Sequence, residues 1–408
     1  MTFESATESA VTRGKPPLAV LILMSMLGPL AMNIFLPSML GIQRHFATDF
    51  ATVQLGLSLF LASLALAQLL LGTLSDRFGR RPVLLAGLCL FIVGTLACIF
   101  APNIHAFLFG RVVQGFGGSA GLILSRAIVR DLYERDKAAS MIGYVTMGMA
   151  VAPMIGPAIA GYLDKYLGWQ SSFYLLVIFG FVVLYTSYKH VVETNNEPTV
   201  SIDIRNVYRA YKSLAGVRLF WLYTGVAGFA SGMFFSFLGG APFVSEKVLG
   251  LTPDRYGLYF VLVALGYSSG NFLSGKFASK LGVFKMIMLG NILGLMSIVA
   301  MILLFLFGDA HPMKLFGPMF FLSIANGMVL PSSMAGTVSV RPDLAGSAAG
   351  LAGSIQMLFG ALLSYSVGLV LPLSAIPTAW PLILAMTVSL IAAFIVGSYL
   401  WSLRSKSS

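Results

Sequence analysis

Arg111 is the residue of this chain whose type and place most constrain its chemistry. It stands in an apolar stretch, 105–128, within the string Arg111-Val-Val-Gln-Gly115. A charged group inside hydrocarbon costs about 2.5–3.5 kcal/mol or more unless it faces water or a partner. Arg111 is therefore expected to point into a central cavity and to influence proton or substrate binding there. The alternative is that its guanidinium holds helix carbonyls and Gln114 in place. No acid answers it at the same depth. Of the 15 Asp and Glu, none falls in the middle of an apolar run, and Asp76, Asp131, Asp164 and Asp343 all sit at ends or turns. Hydrolysis would need a nucleophile–base pair or paired carboxylates within reach. Neither is evident, so an enzyme is not expected. Cys89 and Cys98 turn to opposite faces of one run, and His45, His105, His190 and His311 are scattered near run ends. No metal site and no cofactor is expected.

A second cluster of charge follows a run end: Gly72-Thr-Leu-Ser-Asp-Arg-Phe-Gly-Arg-Arg81-Pro82. Gly79 allows a tight turn, Arg80 and Arg81 anchor it to one membrane face, and Asp76 and Arg80 are spaced to pair if that end is helical.

These residues must be positioned by membrane helices. Of the chain, 57% is hydrophobic and 10% charged, against about 45–50% and about 25% in soluble domains. Soluble folds and disorder are nearly excluded. The net charge of +11 reflects loops, since no basic cluster with interleaved aromatics points to nucleic acid. Apolar runs predict twelve helices, at 17–39, 51–74, 83–101, 105–128, 140–163, 170–189, 218–240, 256–275, 284–307, 315–338, 347–371 and 379–402. Each is long enough to cross a hydrocarbon core about 30 Å thick. A β-barrel is not expected. With the N-terminus inside, inner loops and tails hold 20 Lys and Arg, outer loops 5, and Arg111 lies within a span. Both termini are therefore expected to be cytoplasmic.

The expected organisation is a cytoplasmic tail 1–16, a six-helix bundle 17–189, a linker 190–217, a second bundle 218–402 and a tail 403–408. In the linker, Ile204, Val207, Tyr208, Tyr211 and Leu214 follow helical spacing, with Arg205, Arg209 and Lys212 on another face. This predicts a short helix on the inner leaflet, or else a partly ordered linker. Gly72, Arg77 and Gly79 recur as Gly275, Lys280 and Gly282 at a constant offset. A six-plus-six duplication of this kind is a transporter signature, with a substrate site between the halves.

The Gly72–Pro82 string strongly resembles the signature loop of the major facilitator superfamily. Arg111–Gly115 looks like its intramembrane Arg motif. Gly148–Gly161 (GMAVAPMIGPAIAG) resembles the Gly-Pro motif of its drug/proton antiporters, and Asn33-Ile-Phe-Leu-Pro37 a span-one motif of the same group. FASGMFFSFLGGAPFV (229–244), SRAIVRDLY (125–133) and DLAGSAAGLAGSIQ (343–356) look like the bicyclomycin/chloramphenicol-resistance group. The resemblance implies an all-α fold of two pseudo-symmetric six-helix bundles. It also implies an antiporter in a bacterial inner membrane that works as a monomer in the lipid bilayer. Its substrate would be a small amphipathic neutral drug or solute, exported by alternating access with a proton as coupling ion. An importer or uncoupled facilitator of a small organic solute is the other reading.

The resemblance also assigns roles. The acid matching Asp76 locks one gating state through the Arg matching Arg80 and the positive end of span eleven near Ser347. Arg81 and Asp131 join that cluster, unless these charges only fix topology. Gly156 and Pro157 belong to a segment that seals the cavity against leak. The family commonly has Asp where this chain has Asn33, and that acid is expected to bind the coupling proton or a cationic drug. Asn33 cannot titrate. Either coupling uses another group, or the protein is an uncoupled facilitator, or the substitution inactivates it. Candidate cavity residues are Met32, Asn33, Phe60, Arg111, Phe234, Phe237, Tyr259, Asn326 and Gln356, a set suited to an amphipathic molecule.

Overall fold

A computed structural model describes residues 15–195, 204–307, 311–373 and 376–405. Most of the expected N-terminal tail, the end of the C-terminal tail and the middle of the linker lie outside the described residues.

The chain runs through α1 (Leu18–His45), α2 (Phe50–Phe78), α3 (Arg80–Ile99), α4 (Ile104–Leu132), α5 (Arg135–Met149), α6 (Val151–Leu167) and α7 (Gln170–His190). A linker helix α8 (Ile204–Ala215) leads to α9 (Arg218–Phe243), α10 (Pro253–Leu281), α11 (Val283–Leu306), α12 (Met313–Ser339), α13 (Ala345–Val370) and α14 (Trp380–Ser405). Among the described residues, eleven spans are long and apolar enough to cross a membrane. The twelfth, α10, is equally long but more polar, carrying Asp254, Arg255, Asn271 and Lys276. The fold is all-α and polytopic. Leu66, Phe109, Ile178, Phe272, Met296 and Val388 are exposed on it, as expected of surface that lipid covers.

Local chemistry explains the breaks. Span five is expected as one helix but is two, α5 and α6, meeting at Ala150. Pro153 has no N–H to give the carbonyl of Met149, and the ladder fails there. α2 starts where Asp49 accepts from Thr52 N at 2.7 Å. That donated N–H holds the Asp49 carboxyl below its ordinary value. α9 closes in a π turn, Val244–Val248, with Leu249 N donating to Val244 O at 3.0 Å.

The internal repeat extends to the helix ends. α2 and α10 each have 29 residues and stop at a glycine with positive φ, Gly79 at 94° and Gly282 at 83°. Only glycine adopts that conformation without strain, so one turn chemistry ends both helices.

α9 occupies the middle, with 89% of its apolar window buried, against 33% for α7 and α11. Two seams join the bundles: α2 runs antiparallel along α13, and α6 packs on α10. For α8, the described part of the apolar face lies on protein. Leu214 is buried with Phe220, Ala348 and Ala352, and Tyr211 packs beside them.

Candidate functional site

The two ends of the molecule are distinguished here as the terminal face, where α1 begins and α14 ends, and the far face opposite.

Arg111 is fully buried inside the first bundle. α4 approaches its neighbours backbone to backbone: a Cβ on Gly94 would meet the backbone of Gln114, and one on Gly121 the backbone of Met24. Within that packing Arg111 Nε donates to Gly56 O at 3.1 Å, and Nη1 donates to Gln114 Oε1. Gln114 Nε2 donates to Thr95 Oγ1 at 2.9 Å. The guanidinium lies between two rings, 4.5 Å from the centroid of Phe35 and 4.3 Å from that of Phe60. Arg111 thus departs from the expected outlook on an open cavity. The rings, Gly56 O and Gln114 take the place of water on most of the group, Nη2 is left without a hydrogen-bond partner, and Arg111 ties α1 and α2 to α4 while Gln114 carries the link to α3.

Asn33 is also buried, with Nδ2 donating to Pro29 O at 2.8 Å and Oδ1 left without a partner. It faces Gly156, where an added Cβ would lie 3.6 Å from Asn33 Cβ. On the other side of α6, Gly257 of α10 lies against the carbonyl of Pro157. Asn33 and the adjacent Gly156 and Pro157, far from it in sequence, therefore form one column that reaches the second bundle.

Phe234, Phe237, Tyr259, Asn326 and Gln356 lie in the second bundle, whereas Met32 and Phe60 are on α1 and α2. Phe237 stacks on Phe260 at 6.2 Å and meets Phe316 edge-on at 6.2 Å; Tyr259 stacks on Phe316 at 5.3 Å. Phe234 stacks on Tyr267 at 5.9 Å. Gln356 Nε2 donates to Ser231 Oγ at 2.6 Å. Asn326 is buried with neither amide atom hydrogen-bonded. Met32, Phe234, Tyr259 and Gln356 are half-buried, whereas Asn33, Phe60, Arg111, Phe237 and Asn326 are enclosed. Among the described residues, no hydrogen bond or ring contact joins the candidates of one bundle to those of the other.

At the terminal face the signature charges assemble. Arg80 Nη1 pairs with Asp76 Oδ1 and donates to Ser75 Oγ at 2.7 Å, while Nε donates to Asp131 Oδ2 at 2.9 Å. Arg81 donates to Tyr188 O at 3.0 Å and lies over the Tyr188 ring.

The far face carries contacts that the sequence did not disclose. Arg44 pairs with Glu246 at 2.8 Å and Lys165 with Asp254 at 2.9 Å, each across the bundles. Below them Gln54 Nε2 donates to Ser364 O at 3.1 Å, in a notch left by Gly239 and Gly368. Ser354 Oγ donates to Ala65 O at 2.9 Å, and Gly353 meets Gln68. One turn further toward the terminal face, Gly72 and Gly350 stand opposite in the α2–α13 register and each meets nothing within 4 Å. Gly143 and Gly275 are likewise open. The bundles thus meet from the far face to about Gln68 and Gly353 and open at Gly72 and Gly350, with Arg130 Nη1 beside Gly346 as an approach nearer the terminal face. An open groove of about 550 Å³ at the far rim is lined by Gly41, Arg44, His45, Asp164 and Trp169.

Comparison with known proteins agrees with this architecture. The chain is 32% identical over 362 residues to an uncharacterised MFS-type transporter of Bacillus subtilis (strain 168), covering 87% of this chain and 90% of that one. It is 27% identical to a bicyclomycin resistance protein homolog of Haemophilus influenzae, covering 94% and 96% of the two chains. A crystal structure of a peptide transporter shares its fold with a TM-score of 0.73 at 14% identity, covering 96% and 95%. The sequence model of the Major Facilitator Superfamily matches residues 21–364, and this chain belongs to that superfamily of transporters.

Proposed function

We propose that this chain is a monomeric efflux transporter of small amphipathic neutral compounds, of the chloramphenicol or bicyclomycin kind. It works by alternating access, with the proton as coupling ion and the terminal face in the cytoplasm. The observation that carries this reading is the asymmetry between the ends: a far face locked by Arg44–Glu246, Lys165–Asp254 and Gln54, and open glycines at the terminal end of the same seam. Such a molecule admits a solute from the terminal side and must break the far contacts to release it. The excess of Lys and Arg at the terminal side supports a cytoplasmic terminal face. The similarity to a bicyclomycin resistance homolog supports export of a drug.

In this reading Met32, Phe234, Tyr259 and Gln356, all half-buried, touch the solute. Phe60, Phe237 and Asn326 stand behind them, and Arg111 keeps the first bundle rigid as it rocks. Asp76, Arg80, Arg81 and Asp131 form the terminal gate, and Gly156 and Pro157 form part of the far seal. The absence of any midplane acid disfavours lipophilic cations. Asn33 at the position of the family's usual acid favours a second reading, an uncoupled facilitator or importer of a small organic solute. Susceptibility of a pump-deleted host expressing the chain, across drug classes and at several external pH values, separates them. Export coupled to protons raises resistance to neutral amphipathic drugs, and more so at acidic external pH. Unchanged susceptibility together with faster growth on a transported solute would overturn the efflux reading.

A further inference from the structure

The segment that follows α7 lies across the turn between α2 and α3, and its contacts are unusually dense. α3 begins at Arg80 behind Gly79, with no side-chain cap from its own neighbours. The first N–H groups of a helix lack internal acceptors, and a carboxylate placed there is favourable. Glu193 provides one from more than a hundred residues away. Its Oε1 accepts from Arg80 N at 2.8 Å and its Oε2 from Arg81 N at 3.1 Å. The same Oε1 accepts from the backbone of Thr194 at 3.0 Å and of Asn195 at 2.9 Å, which closes the strap on itself. Thr194 Oγ1 donates to Asp131 Oδ2 at 2.9 Å, the very oxygen that Arg80 Nε holds. Asn195 Nδ2 donates to Asp76 O at 2.7 Å, at the last turn of α2. Gly79 is required here twice over: its φ is positive, and a Cβ would lie 2.5 Å from Glu193 Oε2.

We propose that Glu193 is a positioning residue of the terminal gate. Its carboxylate fixes the α2–α3 turn so that Arg80 stays between Asp76 and Asp131, and through it the linker acts on that turn. The far end of the linker is fastened too. Arg341 Nη1 donates to Ser213 Oγ at 3.1 Å, and Leu214 is buried against Ala348 and Ala352, near the start of α13. The linker is thereby anchored at one end to the signature turn and at the other to the helix that the turn approaches when the gate closes. This inference rests on the gating role proposed for Asp76, Arg80 and Asp131.

The test uses the full chain in membrane vesicles, with Cys89→Ser and Gly350→Cys as background. Gly350 faces open space here, so the rate at which a membrane-impermeant maleimide labels position 350 from the terminal side reports gate opening. Glu193→Ala is expected to change that rate measurably, because it removes the carboxylate that holds the α2–α3 turn. It should also slow efflux of chloramphenicol by about 2–30-fold, the weight of a lost helix cap. Glu193→Asp should restore most of both. Glu193→Gln keeps an acceptor oxygen, inserts if the alanine variant does not, and should shift labelling in the same direction. Unchanged labelling and efflux in Glu193→Ala, or in Glu193→Gln where only that variant inserts, would overturn the proposal. Asp76→Asn is measured alongside. If it also changes nothing, the gate itself has been misassigned; if it alters both readouts while Glu193 variants do not, only the strap's role falls.

Discussion

Replacing Gly257 by Ala should unseat the far seal without disturbing either bundle. The methyl group would overlap the Pro157 carbonyl and lie 2.8 Å from Ala158 Cα, where ordinary contact begins at 3.4 Å. α10 would have to withdraw from α6 by the difference between those distances or more. Overpacking of this size costs about 1–3 kcal/mol. The cost falls only on the state in which the far face is closed, because Pro157 and Gly257 belong to different bundles. A shift of 1–3 kcal/mol changes a two-state equilibrium by about 5–150-fold. The reporter is Ser364→Cys in a Cys89→Ser background, at a position fully buried in the α2–α13 seam. A buried thiol is alkylated in proportion to the population that opens, so the labelling rate from the far side should rise by the same factor. Gly143→Ala, whose methyl would meet nothing within 4 Å, is the control and should leave the rate alone. Equal labelling in Gly257→Ala and the control would mean that the α6–α10 contact persists throughout the cycle, and the alternating-access argument from these seams would fail.

Three further expectations follow from other contacts. Arg111→Lys should abolish drug resistance while the protein still inserts, because a point-charged ammonium cannot lie flat between Phe35 and Phe60 and also hold Gln114; undiminished resistance at normal membrane levels would remove that clamp from the mechanism. Asn33→Asp should create or strengthen proton-dependent flux, since it restores a titratable group facing Gly156; flux that already follows a pH gradient fully with Asn33 would refute the role given to this position. Reversing one far-face pair by Lys165→Asp should increase far-side labelling, and adding Asp254→Lys should return it toward the starting rate. For so exposed a pair the recovery should be small, and no recovery in the double variant would show that the contact of 2.9 Å does not contribute to closure.

Much of the architecture was legible in one dimension, for physical reasons that act locally. Long apolar runs must become helices in a bilayer because no water is there to satisfy the backbone. A glycine must end α2 and α10 because each chain reversal has positive φ. Asp76 and Arg80 are neighbours on a turn, so their pairing is written in their spacing. The Ala150 break in span five follows from Pro153, yet helix length alone concealed it.

What the sequence could not specify is everything that depends on which surfaces meet. Arg111 was recognisable as a buried cation, but whether it faces water or two rings depends on the rotation of α1 and α2 against α4, which no local pattern sets. Gln54 and Gly368 read as unremarkable positions until the antiparallel register of α2 and α13 places one in the other's notch. Glu193 lies unmarked within the expected linker 190–217; only the fold carries it to the amide groups of Arg80 and Arg81. Composition and local sterics determined the helices and their ends, while the far lock, the terminal strap and the enclosure of Arg111 arise from long-range packing, whose partners lie from 55 residues apart for Arg111 and Gly56 to 310 for Gln54 and Ser364.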